Sequence, residues 1–526
     1  MVPPDDGPLS GIIMNAPSRR YLSVWLRRLS TDRIERRLPL PDKTPLIVIE
    51  PVNSALRICA VNDAAADLGL KIGIPLADAR AMFPSIKAHD ADRQADLTFL
   101  EAVADWCSRY TPLVGLDRPD GLMLDISGCA HLFGGERALA HDLLARLKKQ
   151  GLCAEIGLAD TVGCAWAVAR YGETKLVPKR AASDFLLPLP LASLRLDEET
   201  VSALAQAGLR CIADVIDCPR APLAARFGEE FMRRLDQALG RESESIIPRL
   251  PPPSYIAERR FPDPVMLQKD VVGTIEQLAH ELGRRLEQKG HGARLLETAL
   301  FRTDGKVYRI AVGTGEPLRD PKRIQRLFSE RLAAIGDECD PGFGYDVVRL
   351  SVLACERLDP TQDNLDRQDH EAELAHLIDR LSARFGAHRL IRLIPRETHI
   401  PEFAVAAVPA QIAHKNPPVA LIEQDSLAPV RPFRLLNPPE AINAVAEVPD
   451  GPPARFRWRQ KLYEVTAVEG PERISAEWWR NSHAPAFTRD YFRIESKQGM
   501  RAWLYREGLY ESETRHPRWF LHGLFA

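Results

Sequence analysis

The sequence predicts a multidomain α+β protein, and three observations carry that prediction. At 526 residues, the chain is several times longer than the ~100–200 residues of a typical domain. Its residues are 45 % apolar and 27 % charged, a balance that supplies ordinary cores and excludes wholesale disorder. The hydrophobic period also changes along the chain. Strands alternating with helices give way to short glycine-punctuated helices, then to a second α+β pattern, and finally to a tryptophan-rich β segment.

Residues 1–18 hold Pro, Gly and Asp and read as a flexible tail. Tyr21–Leu26, Pro45–Glu50 and Leu56–Val61 have the continuous apolar character of buried strands. Ala64–Leu68 reads as a short helix stopped by Gly69, and Leu97–Arg109 has helical period. Gly121–Ser127 is a strand, Glu136–Gln150 a helix, Cys153–Ala159 a strand and Val162–Tyr171 a helix. Over residues 19–185 this alternation predicts a mixed sheet with helices on one face. Between residues 186 and 248, Gly208, Pro219, Gly228 and Gly240 punctuate short helices into a small all-α unit.

Pro248–Pro253 is a proline-rich joint. Residues 255–357 then form a second α+β unit, with a long amphipathic helix at Val265–Gln288. Strands at Leu295–Arg302 and Val307–Val312 join through Asp304-Gly305, followed by a helix at Asp320–Ile335 and a strand at Val347–Leu353. Residues 358–371 read as a polar linker. Residues 372–430 read as a helix, Ala372–Phe385, followed by a proline-spaced linker. Residues 431–526 hold five of the eight Trp and alternating segments such as Arg501–Arg506, so they predict a compact β-rich module.

A net charge of −2 gives no bulk attraction to nucleic acid or membrane, so any such attraction must come from local patches. The nine Cys include no C-x-x-C pair and read as buried, reduced thiols of a cytoplasmic protein. No apolar run approaches the ~20 residues needed to span a bilayer, and Met1–Ser18 lacks the pattern of a signal peptide. His131 and the later His residues lack metal-ligand spacing, so neither a metal nor another cofactor is expected.

Four segments occur in order: Tyr21-Leu-Ser-Val-Trp-Leu, Gly69-Leu-Lys-Ile-Gly-Ile-Pro, Asp120-Gly-Leu-Met-Leu-Asp125-Ile-Ser-Gly and Gly157-Leu-Ala-Asp-Thr-Val. Together they resemble the palm and fingers of Y-family, lesion-bypass DNA polymerases. The resemblance covers residues 20–357. It implies fingers at about residues 50–84, a thumb in the helical unit and a little finger in the second α+β unit.

Two-metal phosphoryl transfer needs carboxylates that hold Mg²⁺ against triphosphate and primer. The resemblance puts the family's two first-strand Asp at Trp25 and Arg27, and its Asp-Glu pair at Asp120-Gly121. No acidic residue lies between Arg19 and Ser30, so a small shift of register supplies none. Asp125 reads as a structural acceptor at a strand end. The nucleotide-binding Tyr and Arg fall at Asp63 and Ala66, the triphosphate Lys at Val162, and the sugar gate near Ser30. The resemblance therefore implies a polymerase-like chain without catalysis. The competing reading is an active lesion-bypass polymerase that uses Asp120, Asp125 and a carboxylate from elsewhere.

Gly128-Cys-Ala-His-Leu-Phe-Gly-Gly135, Gly470-Pro-Glu-Arg-Ile474 with Trp478-Trp479, Arg489-Asp-Tyr-Phe492 and Trp519-Phe-Leu-His-Gly-Leu-Phe525 are similar to the ImuB family. Members are polymerase-like subunits of a bacterial damage-induced mutagenesis complex. This resemblance implies an adaptor in translesion synthesis and the SOS response. Its implied partners are primer-template DNA, the sliding clamp, an ImuA-type RecA-like accessory protein and an error-prone C-family polymerase.

Candidate DNA contacts are Arg210 beside the Ala207-Gly208-Leu209 turn, Arg284, Arg285, Lys289 and Arg294, and Lys322, Arg323 and Arg326 along one helix. The same residues also read as an ordinary helix–helix turn and solvated faces. Gln362 and Leu365 form a candidate clamp-binding peptide that lacks the usual following aromatic; plain linker is the alternative. Trp478, Trp479, Trp519 and Phe520 are candidate partner contacts, with the core of the β module as the competing use of such side chains.

Overall fold

The computed structural model describes residues 19–526 apart from 39–40, 42–43, 359–369, 414–429, 448–450, 478, 480–486 and 511. The chain forms two compact units, residues 1–364 and 365–526.

The first unit begins with β1 (Tyr21–Trp25), α1 (Leu29–Glu35), β2 (Leu46–Val52), β3 (Ala55–Val61), α2 (Asp63–Asp67), α3 (Leu76–Met82), β4 (Lys87–Asp90) and α4 (Arg93–Cys107). It continues with β5 (Val114–Asp117), β6 (Gly121–Asp125), α5 (Glu136–Lys149), β7 (Glu155–Ala159) and α6 (Val162–Tyr171). The order β5-β6-β1-β7 makes an antiparallel sheet in which Trp25 stands opposite both Gly121 and Glu155.

Alternate side chains serve two layers. Leu22, Val24, Leu122, Leu124, Ile156 and Leu158 pack into one core with α4 and α5, while Tyr21, Met123 and Ala159 pack into another with α6. The expected mixed sheet with helices on one face is thus corrected. The central sheet is antiparallel and covered on both faces, because both of its side-chain rows are apolar. The mixed sheet is a separate three-stranded one, β3-β2-β4, with β2 and β4 parallel. Gly157 lets α6 lie directly on β7, since a Cβ there would sit 2.1 Å from the Ala165 carbonyl oxygen.

Five short helices follow: α7 (Ala182–Leu186), α8 (Glu198–Gln206), α9 (Ala213–Ile216), α10 (Arg220–Phe227) and α11 (Glu229–Leu239). They share a core with α6 through Phe231, Met232, Leu235 and Ala238. Then come β8 (Tyr255–Val265), α12 (Gln268–Gln288), β9 (His291–Arg302), β10 (Val307–Leu318), α13 (Pro321–Ile335) and β11 (Tyr345–Arg357), with sheet order β10-β9-β11-β8.

A face of this second sheet meets the end of α4. The carbonyls that follow a helix C-terminus lie at its negative end, so they suit guanidinium groups. Arg349 donates to the Ser108 and Arg109 carbonyl oxygens at 2.8 and 3.3 Å, and Arg260 donates to the Arg109 carbonyl at 3.0 Å. Arg309 reaches Asp105 at 3.2 Å and the Ser108 hydroxyl at 3.1 Å. Arg109, 2 % exposed, and Arg146 converge on Asp346 at 2.7 and 2.8 Å.

The second unit contains α14 (His370–Phe385), β12 (Ile391–Pro395), β13 (Val405–Pro409) and α15 (Ala410–Ala413). Part of the segment expected to be proline-rich linker is therefore a β-hairpin, with Pro409 marking its end. Strands β14 (Arg434–Ala446), β15 (Pro453–Trp458), β16 (Lys461–Ile474), β17 (Arg489–Ser496), β18 (Arg501–Glu507) and β19 (Arg518–Leu524) close into a barrel. Phe456, Tyr463, Phe492, Ile494, Leu504 and Leu521 fill one core, while Tyr491, Trp503 and Tyr505 form a second cluster. All nine Cys are unpaired. Cys107 and Cys164 are buried and the rest half-buried, which corrects the expectation of general burial. Among the described residues, no helix is long and apolar enough to cross a membrane.

Replacing Asp346 with Ala leaves the buried Arg109 guanidinium without its anion. It should cost about 3–5 kcal/mol, read from the urea unfolding of the first unit in the intact chain. Asp32 on α1 accepts the Cys153 N–H at 2.7 Å, and burial pushes its carboxyl up to about 6. Below the unfolded value of 3.8 both states are protonated; as pH rises from there through about 6, the unfolded chain ionises first and the fold loses stability. Asp32→Asn keeps an acceptor without the charge. Its melting temperature should match the native chain near pH 3.5 and exceed it increasingly up to pH 6–7, as followed by scanning calorimetry.

Candidate functional site

The site is built where β1 ends and β6 begins. Antiparallel register brings Trp25 beside Gly121, while Asp120 precedes β6 and Asp117 closes β5. Helix α6, held against this sheet by Gly157, delivers Trp166 and Arg170 one turn apart. The Trp25 indole N–H donates to Asp120 Oδ2 at 2.9 Å. Arg170 Nη2 donates to Asp117 Oδ2 at 3.2 Å and to Asp120 Oδ1 at 3.3 Å. The same guanidinium carbon lies 5.4 Å from the Trp25 ring centre and 4.1 Å from that of Trp166.

One guanidinium flanked by two indoles therefore bridges the two carboxylates. Cation–π contact is favourable where water is scarce. Burial pushes the Asp117 carboxyl up against the pull of Arg170, and burial likewise lowers Arg170. Gly121 has no room for a side chain, because a Cβ there would lie 2.7 Å from Asp117 Oδ2 and 3.0 Å from Arg170 Nη2. Among the described residues, no group of three or more His, Cys, Asp or Glu is arranged to hold a metal ion.

The neighbouring charges also pair with one another. Arg27 lies 3.8 Å from Asp63 and 3.7 Å from Glu155, Arg28 also meets Asp63, and Lys175 binds Glu155 at 2.8 Å. Asp63 and Ala66 are exposed on α2; Asp63 is turned to palm arginines, and Ala66 offers no polar side chain. Val162 is buried at the start of α6, where the Thr161 hydroxyl accepts the Cys164 N–H. Ser30 donates to Asp96 at 2.7 Å, and Asp125 accepts the Ser127 N–H at 2.9 Å as a structural strand-end acceptor.

Sequence reasoning singled out Trp25, Arg27, Asp120 and Gly121 but missed Asp117, Glu155, Trp166 and Arg170. The i, i+4 spacing of Trp166 and Arg170 was the available signal.

The remaining candidates are dispersed. Arg284, Arg285 and Lys289 are exposed at the end of α12. Gly283 admits the Arg319 carbonyl to 2.9 Å of its would-be Cβ, which brings this end beside the start of α13, where Lys322, Arg323 and Arg326 are exposed. Arg294 does not join them: its side chain is 17 % exposed and lies 3.3 Å from Glu356 on the neighbouring strand.

Arg210 is exposed, but its backbone N–H and that of Cys211 are taken by Asp214 at 2.8 and 2.9 Å. The Gly208 and Leu209 N–H groups bond to Ala205 and Leu204. The backbone N–H groups of this turn are therefore not free to meet phosphate. Gln362, Leu365 and Trp478 lie outside the described residues. Trp479 is 61 % exposed. Trp519 packs against Phe492 at 5.6 Å and Phe520 stacks on Tyr505 at 5.0 Å, both half-buried in the barrel wall.

Residues 29–170 match the impB/mucB/samB family and residues 252–370 match the impB/mucB/samB family C-terminal domain. The first unit is thus of the Y-family polymerase class. Residues 436–525 match a Domain of unknown function (DUF6504). Protein ImuB of Caulobacter vibrioides is 40 % identical over 469 residues, 87 % of this chain and 100 % of that protein. The chain belongs to the ImuB family. DNA polymerase IV of the same species is 24 % identical over 295 residues, 54 % of this chain and 71 % of that one. A crystal structure of DinB from Sulfolobus solfataricus is 15 % identical, with a TM-score of 0.38 over 65 % of this chain and 100 % of that one.

Placing acidic side chains at positions 25 and 121 should not create a metal site while Arg170 remains. The variant Trp25→Asp/Gly121→Glu should melt several degrees lower than the native chain and show no tight Mn²⁺ binding by electron paramagnetic resonance. Tight binding without loss of stability would contradict the geometry described here.

Proposed function

We propose that this chain is a non-catalytic, polymerase-like adaptor in translesion synthesis and damage-induced mutagenesis. The observation that carries the reading is the pairing of Asp120 and Asp117 with Arg170 and of Asp120 with Trp25. Both Asp120 oxygens are engaged by internal donors, and Arg170 already supplies Asp117 and Asp120 with a fixed cation. Catalytic function would need carboxylates free to bridge two metal ions.

The adaptor holds primer-template DNA through exposed cations on α12 and α13, chiefly Arg284, Arg285, Lys289, Lys322, Arg323 and Arg326. Gln362 and Leu365 engage the sliding clamp as a short peptide. The second unit, with Trp479 among its exposed side chains, recruits an error-prone C-family polymerase and an ImuA-type RecA-like protein. Several weak tethers acting together raise the local concentration of the polymerase at a stalled primer end. The site of action is the cytoplasm, and no membrane partner is involved.

Purified full-length protein should bind primer-template yet incorporate no nucleotide with Mg²⁺ or Mn²⁺. Incorporation abolished by Asp120→Ala would identify an active lesion-bypass polymerase instead. Lys322→Glu/Arg323→Glu/Arg326→Glu should weaken primer-template binding at low salt. It should also flatten the plot of log affinity against log salt by about 2–3, near 0.9 per phosphate contact.

A further inference from the structure

The end of the barrel formed by the β15–β16 and β17–β18 turns and the close of β19 opens into a cavity of about 410 Å³, a ligand-sized volume. Trp458, Tyr463, Met500 and Phe525 line it, with Lys461 and Arg501 beside them. The Tyr463 ring stacks on Phe456 at 5.2 Å, and the Trp458 indole N–H donates to Glu440 at 2.6 Å. Both rings are therefore fixed from behind. Trp458 and Phe525 are only half-buried.

The charges around this mouth differ from those elsewhere on the barrel. Arg431, Arg473, Arg489, Arg493, Arg506 and Arg518 each bind a carboxylate. The Arg501 side chain has no hydrogen bond or ion pair among the described residues. Neither has that of Arg457, next to Trp458, nor that of Arg434, paired in register with Leu524 at the close of β19. Lys461 only overlies the Tyr463 ring at 5.3 Å. The single acidic group holding Trp458, Glu440, is itself neutralised by Arg459 at 2.5 Å.

We propose that this mouth binds single-stranded DNA. Arg434, Arg457, Lys461 and Arg501 take successive backbone phosphates, while Trp458, Tyr463 and Phe525 offer ring surface to unpaired bases. The combination of unpaired cations and fixed rings in a cleft is what sequence-tolerant single-strand binding requires. Duplex DNA fits less well, because its bases are stacked on one another and present only their edges. This site is separate from the cations of α12 and α13, and it stands whether or not the chain polymerises.

The test uses the full-length chain, a short fluorescein-labelled oligothymidine and a primer-template duplex of equal label, followed by anisotropy. Lys461→Glu/Arg501→Glu should weaken oligothymidine binding roughly tenfold or more and leave duplex affinity within twofold. The triple reversal on α13 should do the opposite. Arg501→Lys should retain most of the single-strand affinity, and unchanged melting curves should verify that the variants fold. Native-level oligothymidine binding by Lys461→Glu/Arg501→Glu overturns the proposal. So does equal loss of both ligands in that variant, or a native chain that does not bind the oligonucleotide.

Discussion

The carbonyl groups just past the end of α4 organise the first unit. The last oxygens of the helix itself are taken by the N–H groups of Ser108, Arg109 and Tyr110, and the next two carbonyls, those of Ser108 and Arg109, accept from Arg349 and Arg260 of the second sheet. Arg109, at the same end, returns the contact by reaching Asp346. Neither side is satisfied by itself. The turn after the helix needs external donors, and the sheet carries guanidinium groups whose burial is tolerable only beside those oxygens and carboxylates. The face of β8 and β11 that meets α4 is occupied in this way, whereas the basic ends of α12 and α13 stay exposed.

At the polymerase-like centre, the cation beside the carboxylates is a permanent part of the chain. A metal ion lets carboxylates rearrange as ligands arrive, whereas Arg170 is tethered to α6 and confined between Trp25 and Trp166. Asp117 and Asp120 repel one another in this half-buried pocket, and burial pushes the Asp117 carboxyl up. The guanidinium lessens that repulsion from within the chain. Asp63, Arg27, Glu155 and Lys175 extend the same logic outward, although their exposure makes those pairs individually weak.

Much of the architecture was legible because its strands are continuous apolar runs. β1, β6 and β7, and the helices α5 and α6, follow from residue pattern alone. What escaped was structure whose pattern is set by distant partners. β8, with the sequence Tyr-Ile-Ala-Glu-Arg-Arg-Phe, looks polar because Glu258 and Arg260 face α4 and Arg349 rather than a hydrophobic layer. The β12–β13 hairpin hid among prolines, and α1 is too short and too charged to show a period. In the site, Trp25, Arg27 and Gly121 stood out as wrong residue types for the resembled chemistry. Arg170 did not, because its partners Asp117 and Asp120 lie some fifty residues away and only the packing of α6 on β7 unites them.

The fit of Gly121 against Asp117 and Arg170 also constrains substitution at the centre. A glutamate cannot enter position 121 until Arg170 has left, yet removing Arg170 first strands two carboxylates without a counter-charge. An aspartate at position 25 would add a third acidic group and withdraw the indole that holds both Asp120 and the guanidinium. The centre is therefore interlocked: a single substitution at Trp25, Gly121 or Arg170 disturbs contacts on which the others depend.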